Sequence, residues 1–167
     1  MYDELTLVDI KKMEEEIHYR RAVLAPIYGA ELQRTRELGD LSENAEYKEA
    51  KREKRKNDSR IRYLENMIRT AHIIEVDEKA DGVALFDYVT IKNERNGAEK
   101  RIQIVTTLRQ NALENLISKE SPLGSALMGH KVGDRVLIEV SPTMKYYVEI
   151  LLLEKGTDNE DIPISSF

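Results

Sequence analysis

The sequence predicts an α+β protein: a long antiparallel helical coiled-coil hairpin at the N-terminus, followed by an antiparallel β domain with a short helix. Three observations predict it. Ile10, Met13, Ile17, Leu24 and Ile27, and later Ala50, Ile61, Leu64, Ile68 and Ala71, follow the alternating three- and four-residue steps of a helical seam. Between the two runs lies Gly39-Asp40-Leu41-Ser42-Glu43-Asn44-Ala45-Glu46-Tyr47, where a helix-ending glycine is followed at once by acids. From Asp81 onward the texture changes, because six of the eight glycines and three of the four prolines lie beyond it. The expected division is a hairpin over residues 1–78, a globular domain over 79–155 and a flexible tail over 156–167.

Bulk composition narrows the function classes. Charged residues make up 34% of the 167 positions, above the roughly 25% of ordinary globular proteins, which suits long solvated helices. A net charge of −5 argues against a protein that grips duplex nucleic acid over its whole surface, while a local basic stripe remains compatible with it. The absence of cysteine excludes disulfide frameworks and thiolate zinc sites. The acidic start Met1-Tyr2-Asp3-Glu4 has no basic leader, and no apolar run is long enough to span a bilayer. A cytoplasmic protein without membrane attachment is expected, and a monomer.

Taken in order, Thr6-Leu7-Val8-Asp9 has the outline of a helix start, a hydroxyl followed three residues later by an acid. Pro26 removes one backbone donor and is expected to kink the first helix. The second helix is expected from the acidic turn to about Ile74. So short a turn forces the two helices antiparallel, and with about 30 residues each the hairpin is a rod of roughly 45 Å. Its seam turns polar toward the tip, at Glu31, Arg34, Lys54 and Asn57. Val83–Leu85, Tyr88–Lys92, Arg101–Thr106, Arg135–Val140 and Tyr146–Leu153 read as strands, being β-branched, aromatic and bounded by turns such as Asn96-Gly97. Leu123–Met128 reads as the short helix, and Gln110–Ile117 as a further helical candidate.

Residues able to carry chemistry are few. His18, His72 and His130 lack metal-ligand spacing, and no nucleophile elbow, P-loop or dinucleotide fingerprint is present. Between Lys48 and Arg62, eight Lys or Arg face three acids, a local balance of +5. Lys51, Arg52, Lys54 and Arg55 lie at its centre, where a basic face would attract a phosphate backbone and a merely solvated face is the plain alternative. The acidic turn likewise has two readings. Asp40 with Glu43 has the form of a capping box for the second helix. Equally, two carboxylates at the end of a narrow rod can add oxygen ligands for Mg²⁺. Spacing alone leaves both open.

The turn, with Ala50 and Lys51 behind it, resembles the signature of the bacterial Gre transcript cleavage factors. A second block, Ser121-Pro122-Leu123-Gly124-Ser125-Ala126-Leu127-Met128-Gly129 with Val132-Gly133-Asp134, is similar to the signature of that family's C-terminal domain. The resemblance implies an N-terminal coiled coil and an FKBP-like C-terminal domain. It also implies a factor that is not itself an enzyme. Such a factor binds backtracked bacterial RNA polymerase, enters its secondary channel and stimulates cleavage of the nascent RNA 3′ end. By this resemblance Asp40 and Glu43 match the catalytic acids that help hold Mg²⁺ within the polymerase complex, and Arg36 and Lys51 match basic positions that contact RNA. Val105-Thr106-Thr107-Leu108-Arg109-Gln110 departs from the family pattern, which has a valine-glycine followed by acids there. The alternative within this resemblance is a polymerase-binding protein that occupies the channel and inhibits without cleavage. A prolyl isomerase fits poorly, because residues 81–154 contain one phenylalanine, Phe86, and no tryptophan.

Overall fold

The structure is a computed structural model that describes residues 3–39 and 43–166. It divides into two compact units: Ile10–Ala71 is one, and the other joins the residues up to Asp9 with those from His72 onward. The first few residues therefore belong with the β-rich unit, not with the helical one as expected.

The helical unit comprises α1 (Leu7–Tyr19) from Ile10 onward, a π-helical turn (Arg20–Leu24), α2 (Ala25–Arg36) and α3 (Ala45–Thr70). The expected capping box at Thr6 is present: Thr6 N–H donates to Asp9 Oδ2 at 3.0 Å, and Asp9 N–H to Thr6 Oγ1 at 3.4 Å. The distortion expected at Pro26 takes the form of the π turn. Pro26 has no N–H for the carbonyl of Ala22 and its ring crowds that carbonyl. The backbone widens just ahead of it, with Ala25 N–H bonded to Arg20 O. The inserted residue rotates the face that follows, so Ile27, expected in the seam, is 57% exposed, while Tyr28 and Leu32 turn inward and Thr35 is buried.

Pairing of Glu16 with Arg60, of Arg20 with Asn57 and of Arg34 with Glu46 shows that α3 runs back along the first arm in the opposite direction. Met13, Ile17, Ala50, Ile61 and Leu64 form the buried apolar seam. One polar cluster interrupts it. Glu16 Oε1 accepts from Arg20 Nε and Arg60 Nε, both at 2.8 Å, and Asn57 accepts from Arg20 Nη1 at 3.1 Å while donating to Arg20 O at 3.2 Å. Burial alone would push the Glu16 carboxyl up, but the hydrogen bonds from Arg60 and Arg20 more than offset it and hold the group below its ordinary value.

Helix α3 stops at Thr70, short of the expected Ile74. Its continuation, β2 (His72–Ile73), pairs in parallel with β1 (Glu4–Leu5), through His72 N–H to Asp3 O and Ile74 N–H to Leu5 O at 2.9 Å each. β-branched Ile73 and Ile74 gain more from this ladder than from a last helical turn.

The β-rich unit carries β3 (Tyr88–Asn93), β4 (Glu99–Val105), β5 (Leu116–Ser118), α4 (Pro122–Leu127), β6 (Arg135–Glu139) and β7 (Lys145–Glu154), with the sheet in the order β5-β4-β3-β7-β6. Alternate residues Val89, Ile91, Ile102, Ile104, Val136, Ile138, Val148 and Ile150 bury one face, with Phe86 and Leu127. Three expectations need correction. The sheet is not wholly antiparallel, because β5 pairs in parallel with β4. The helix expected over Gln110–Ile117 is instead a 3₁₀ turn, Ala112–Glu114, ended by left-handed Asn115 (φ 58°) and leading into β5. Val83–Leu85 is buried but lies outside the sheet, bonded to the segment after α4 through Val83 N–H to His130 O at 2.8 Å. Helix α4 takes its form from its signature residues. Ser121 caps it by accepting from Gly124 N–H at 3.0 Å, Pro122 opens it, and a Cβ at Gly124 would meet Ser118 O at 2.0 Å.

The expected flexible tail is fastened to this unit. Gly156 N–H donates to Asp87 at 3.2 Å, and Ser165 N–H to Leu108 O at 2.7 Å. Between them Asp158 and the Asn159 carbonyl bind Arg109, which is fully buried. Arg109 Nη1 meets Asn159 O at 3.1 Å, and Nη2 reaches both Thr6 Oγ1 at 3.3 Å and the Asp158 carboxylate. Arg109 Nε lies 2.7 Å from Asp9 Oδ1, an ion pair whose N–H is not aimed at the oxygen. A buried cation must recruit oxygens, and the polar tail supplies two of them.

Arg109→Met should leave Asp9 buried and uncompensated, lowering the stability of the β-rich unit by about 3–5 kcal/mol in urea denaturation followed by circular dichroism. Glu16 gives a second expectation. Its carboxyl is depressed in the folded state, so its contribution is complete above the ordinary value of 4.5 and is lost as pH falls through the folded value. Glu16→Gln should therefore weaken the helical unit at neutral pH and flatten its acid destabilisation, as measured by thermal melting from about pH 6 to about pH 3.

Candidate functional site

The acidic turn spans the gap between Arg36, the last residue of α2, and Ala45, the first of α3. The chain leaves α2 through Leu38 N–H to Thr35 O at 3.2 Å and then Gly39, whose φ of +115° only glycine adopts readily. The predicted ligand Asp40 lies, with Leu41 and Ser42, outside the described residues.

Asn44 caps α3. Its Oδ1 accepts Tyr47 N–H at 2.9 Å, and its Nδ2 donates across the hairpin to Thr35 O at 2.8 Å. This overturns the capping-box reading of Asp40 and Glu43, since Asp40 stands four residues before the cap and Glu43 immediately before it. The physical reason is that Asn44 both starts the helix and ties it to α2.

The two carboxylates of the stretch that lie among the described residues, Glu43 and Glu46, have different surroundings. Glu46 is held by Arg34 at 3.1 Å, and Arg34 also binds Glu31 at 2.7 Å. Hydrogen bonds to Glu31, then Glu46, push the Arg34 guanidinium further up, and Arg34 holds Glu31 below the usual carboxylate range. Glu43 is exposed, and among the described residues nothing pairs with its carboxylate.

The predicted basic residues do not act as one set. Arg36 and Lys51 converge on opposite helices, with their charged groups 5.9 and 6.0 Å from the centroid of the Tyr47 ring. Arg55 is exposed, and no ion pair among the described residues involves it. Arg52 pairs with Glu49 at 3.6 Å, and Lys54, half-buried, pairs with Asp58 at 2.9 Å, away from the others. Arg60, counted in the basic run, is buried against Glu16 and leaves the surface. Sequence reasoning missed Asn44 as a cap and Tyr47 as the ring between two cations. The preference of asparagine for helix starts was the available signal for Asn44.

Oxygen donors on exposed carboxylates suit a hard cation such as Mg²⁺. Among the described residues, however, no three candidate ligands converge. No helix among the described residues is long and apolar enough to cross a membrane.

Comparison with known proteins gives a consistent result. The N-terminal domain model of GreA/GreB transcription elongation factors matches residues 4–73, and the GreA/GreB C-terminal model matches residues 78–155. Transcription elongation factor GreA of Thermotoga maritima is 36% identical over 151 residues, covering 90% of this chain and 97% of that protein. GreA of Thermoanaerobacter pseudethanolicus is 41% identical over 137 residues, covering 81% and 87%. Among solved structures, the GreA factor homolog 1 protein of Thermus thermophilus matches with a TM-score of 0.43 and 25% identity, over 92% of this chain and 99% of that one.

Because Asn44 caps α3, Asp40→Asn and Glu43→Gln should each leave thermal stability within about 0.5 kcal/mol. Asn44→Ala should cost about 1 kcal/mol or more in the same melting experiment.

Proposed function

We propose, because the chain belongs to the GreA/GreB family of transcription elongation factors, that it binds backtracked bacterial RNA polymerase and stimulates cleavage of the nascent RNA 3′ end. In this reading α1 to α3 form an antiparallel coiled coil that enters the secondary channel, and the β-rich unit is an FKBP-like domain that docks outside it. The factor acts in the cytoplasm as a monomer and has no catalytic cycle of its own.

The observation that carries the reading is the cap. With Asn44 starting α3, the Glu43 carboxylate has no structural duty, is exposed at the turn, and is paired with nothing among the described residues. Asp40 and Glu43 together would hold a Mg²⁺ ion shared with the polymerase active site. That ion supplies a water of lowered pKa and a counter-charge for the phosphoryl oxygens. Lys51, Arg36 and Arg55 would meet the RNA backbone as point charges, with Arg52 and Lys54 exchanging weak surface pairs for phosphate at little cost.

The test is cleavage in stalled elongation complexes. Glu43→Gln and Asp40→Asn should each lower the cleavage rate by at least about tenfold, equivalent to ~1.4 kcal/mol of barrier, with polymerase binding retained. Full cleavage by both variants would sink the reading. Polymerase binding that blocks elongation without cleavage by the wild-type factor would replace it with the inhibitory alternative.

A further inference from the structure

From the two hydrogen bonds of one side chain, we infer that Asn44 is a positioning residue for cleavage: its amide fixes Glu43 at the end of the hairpin. The inference rests on the reading above and deepens it. Capping alone does not explain an asparagine here, since aspartate, serine and asparagine start helices about equally well. What aspartate lacks is any donor, whereas asparagine carries its acceptor and its donor on two separate atoms of one rigid amide. Asn44 uses both ends, Oδ1 toward Tyr47 N–H at 2.9 Å and Nδ2 toward Thr35 O at 2.8 Å. The orientation is unambiguous, because a flipped amide would face N–H with NH₂ and carbonyl with carbonyl.

The partner on α2 is itself fixed. Thr35 is fully buried, its hydroxyl donates to Leu32 O at 3.0 Å, and its carbonyl also accepts from Leu38 N–H at 3.2 Å. The Asn44 amide therefore clamps two positions nine residues apart. Glu43 is covalently next to the clamp and has no other restraint among the described residues. A carboxylate that must complete another protein's metal site gains from being held before it arrives, because small displacements of a ligand are costly in rate.

Asn44→Asp isolates this role. Aspartate keeps the cap acceptor and suits a helix N-terminus, but it loses the donor and sets a carboxylate against the Thr35 carbonyl. The expected result has several parts. Melting temperature and the half-saturating factor concentration stay close to wild type. The maximal cleavage rate falls about tenfold. Higher Mg²⁺ restores much of it, since a loosely held ligand is compensated by more metal. In the free factor, the ¹⁵N heteronuclear NOE of the Glu43 amide falls while the Tyr47 amide stays protected from exchange. Wild-type cleavage and an unchanged Glu43 NOE in Asn44→Asp would overturn the inference. A loss that Mg²⁺ does not restore, accompanied by weaker polymerase binding, would overturn it too, because it assigns Asn44 to folding or docking alone. Glu43→Gln run in parallel separates the two levels. Full cleavage by Glu43→Gln overturns the underlying reading, whereas full cleavage by Asn44→Asp alone overturns only the positioning role.

Discussion

A guanidinium sealed from water is tolerated only when oxygens surround it, and in the β-rich unit that requirement falls on Arg109. Its partners come from three separate stretches: Thr6 and Asp9 before the helical unit, Thr106 through its bond to Asp9, and Asp158 with Asn159 near the end of the chain. The Phe86 ring covers the guanidinium from one side at 4.6 Å. Phe86 is also left-handed, at φ 70°, a conformation that costs a bulky residue roughly 1–2 kcal/mol. Its burial, its N–H bond to Ile104 O at 2.6 Å and the bare Gly156 against its carbonyl hold it there. A Cβ at Gly156 would lie 1.9 Å from Phe86 O. Both the first and the last described segments thus meet at this one cation.

The helical unit solves a similar problem differently. Its seam could have been filled with leucine, and instead carries Glu16, Arg20, Asn57 and Arg60 at one level. Such a cluster adds little net stability, because desolvation offsets most of the attraction. It does penalise every register but one. If α3 slid by one turn, Glu16 would lose Arg60 and Asn57 would lose Arg20, leaving buried charges unpaired. Register also matters at the turn, because Thr35 must face Asn44 for their hydrogen bond to form.

Much of this was legible in the sequence. The seam at Met13, Ile17, Ala50, Ile61 and Leu64 followed from periodicity, four strands of the sheet from alternation, and α4 from its serine, proline and glycines. The failures share a cause, which is pairing between residues distant along the chain. Ile27 fell out of the seam because the π turn before Pro26 shifted the phase, and periodicity counts residues as if every turn were alike. Asp158 and Asn159 read as solvated tail residues, because nothing local reveals that Arg109 is buried and in need of them. Strand β5 is three residues long and is recognisable only through its parallel partner β4. At the turn, Asp40, Ser42 and Asn44 are all competent caps, and the Thr35 carbonyl that favours Asn44 lies on the other helix.

The position of the cap also bears on electrostatics. A carboxylate used as an N-cap accepts backbone N–H groups and neutralises the partial positive charge at the helix start, at a gain of about 1 kcal/mol. To bind a metal it would have to give up part of that. A neutral amide at Asn44 satisfies the Tyr47 donor without adding negative charge, so the start of α3 keeps its positive field. Glu43 lies directly before that helix end, exposed, and among the described residues nothing pairs with its carboxylate. Arg34 draws the third acid, Glu46, to the side of the hairpin, which reduces repulsion among the acids of the stretch. An uncharged cap at Asn44 and a cation on the third acid leave the exposed Glu43 carboxylate without a part in starting the helix.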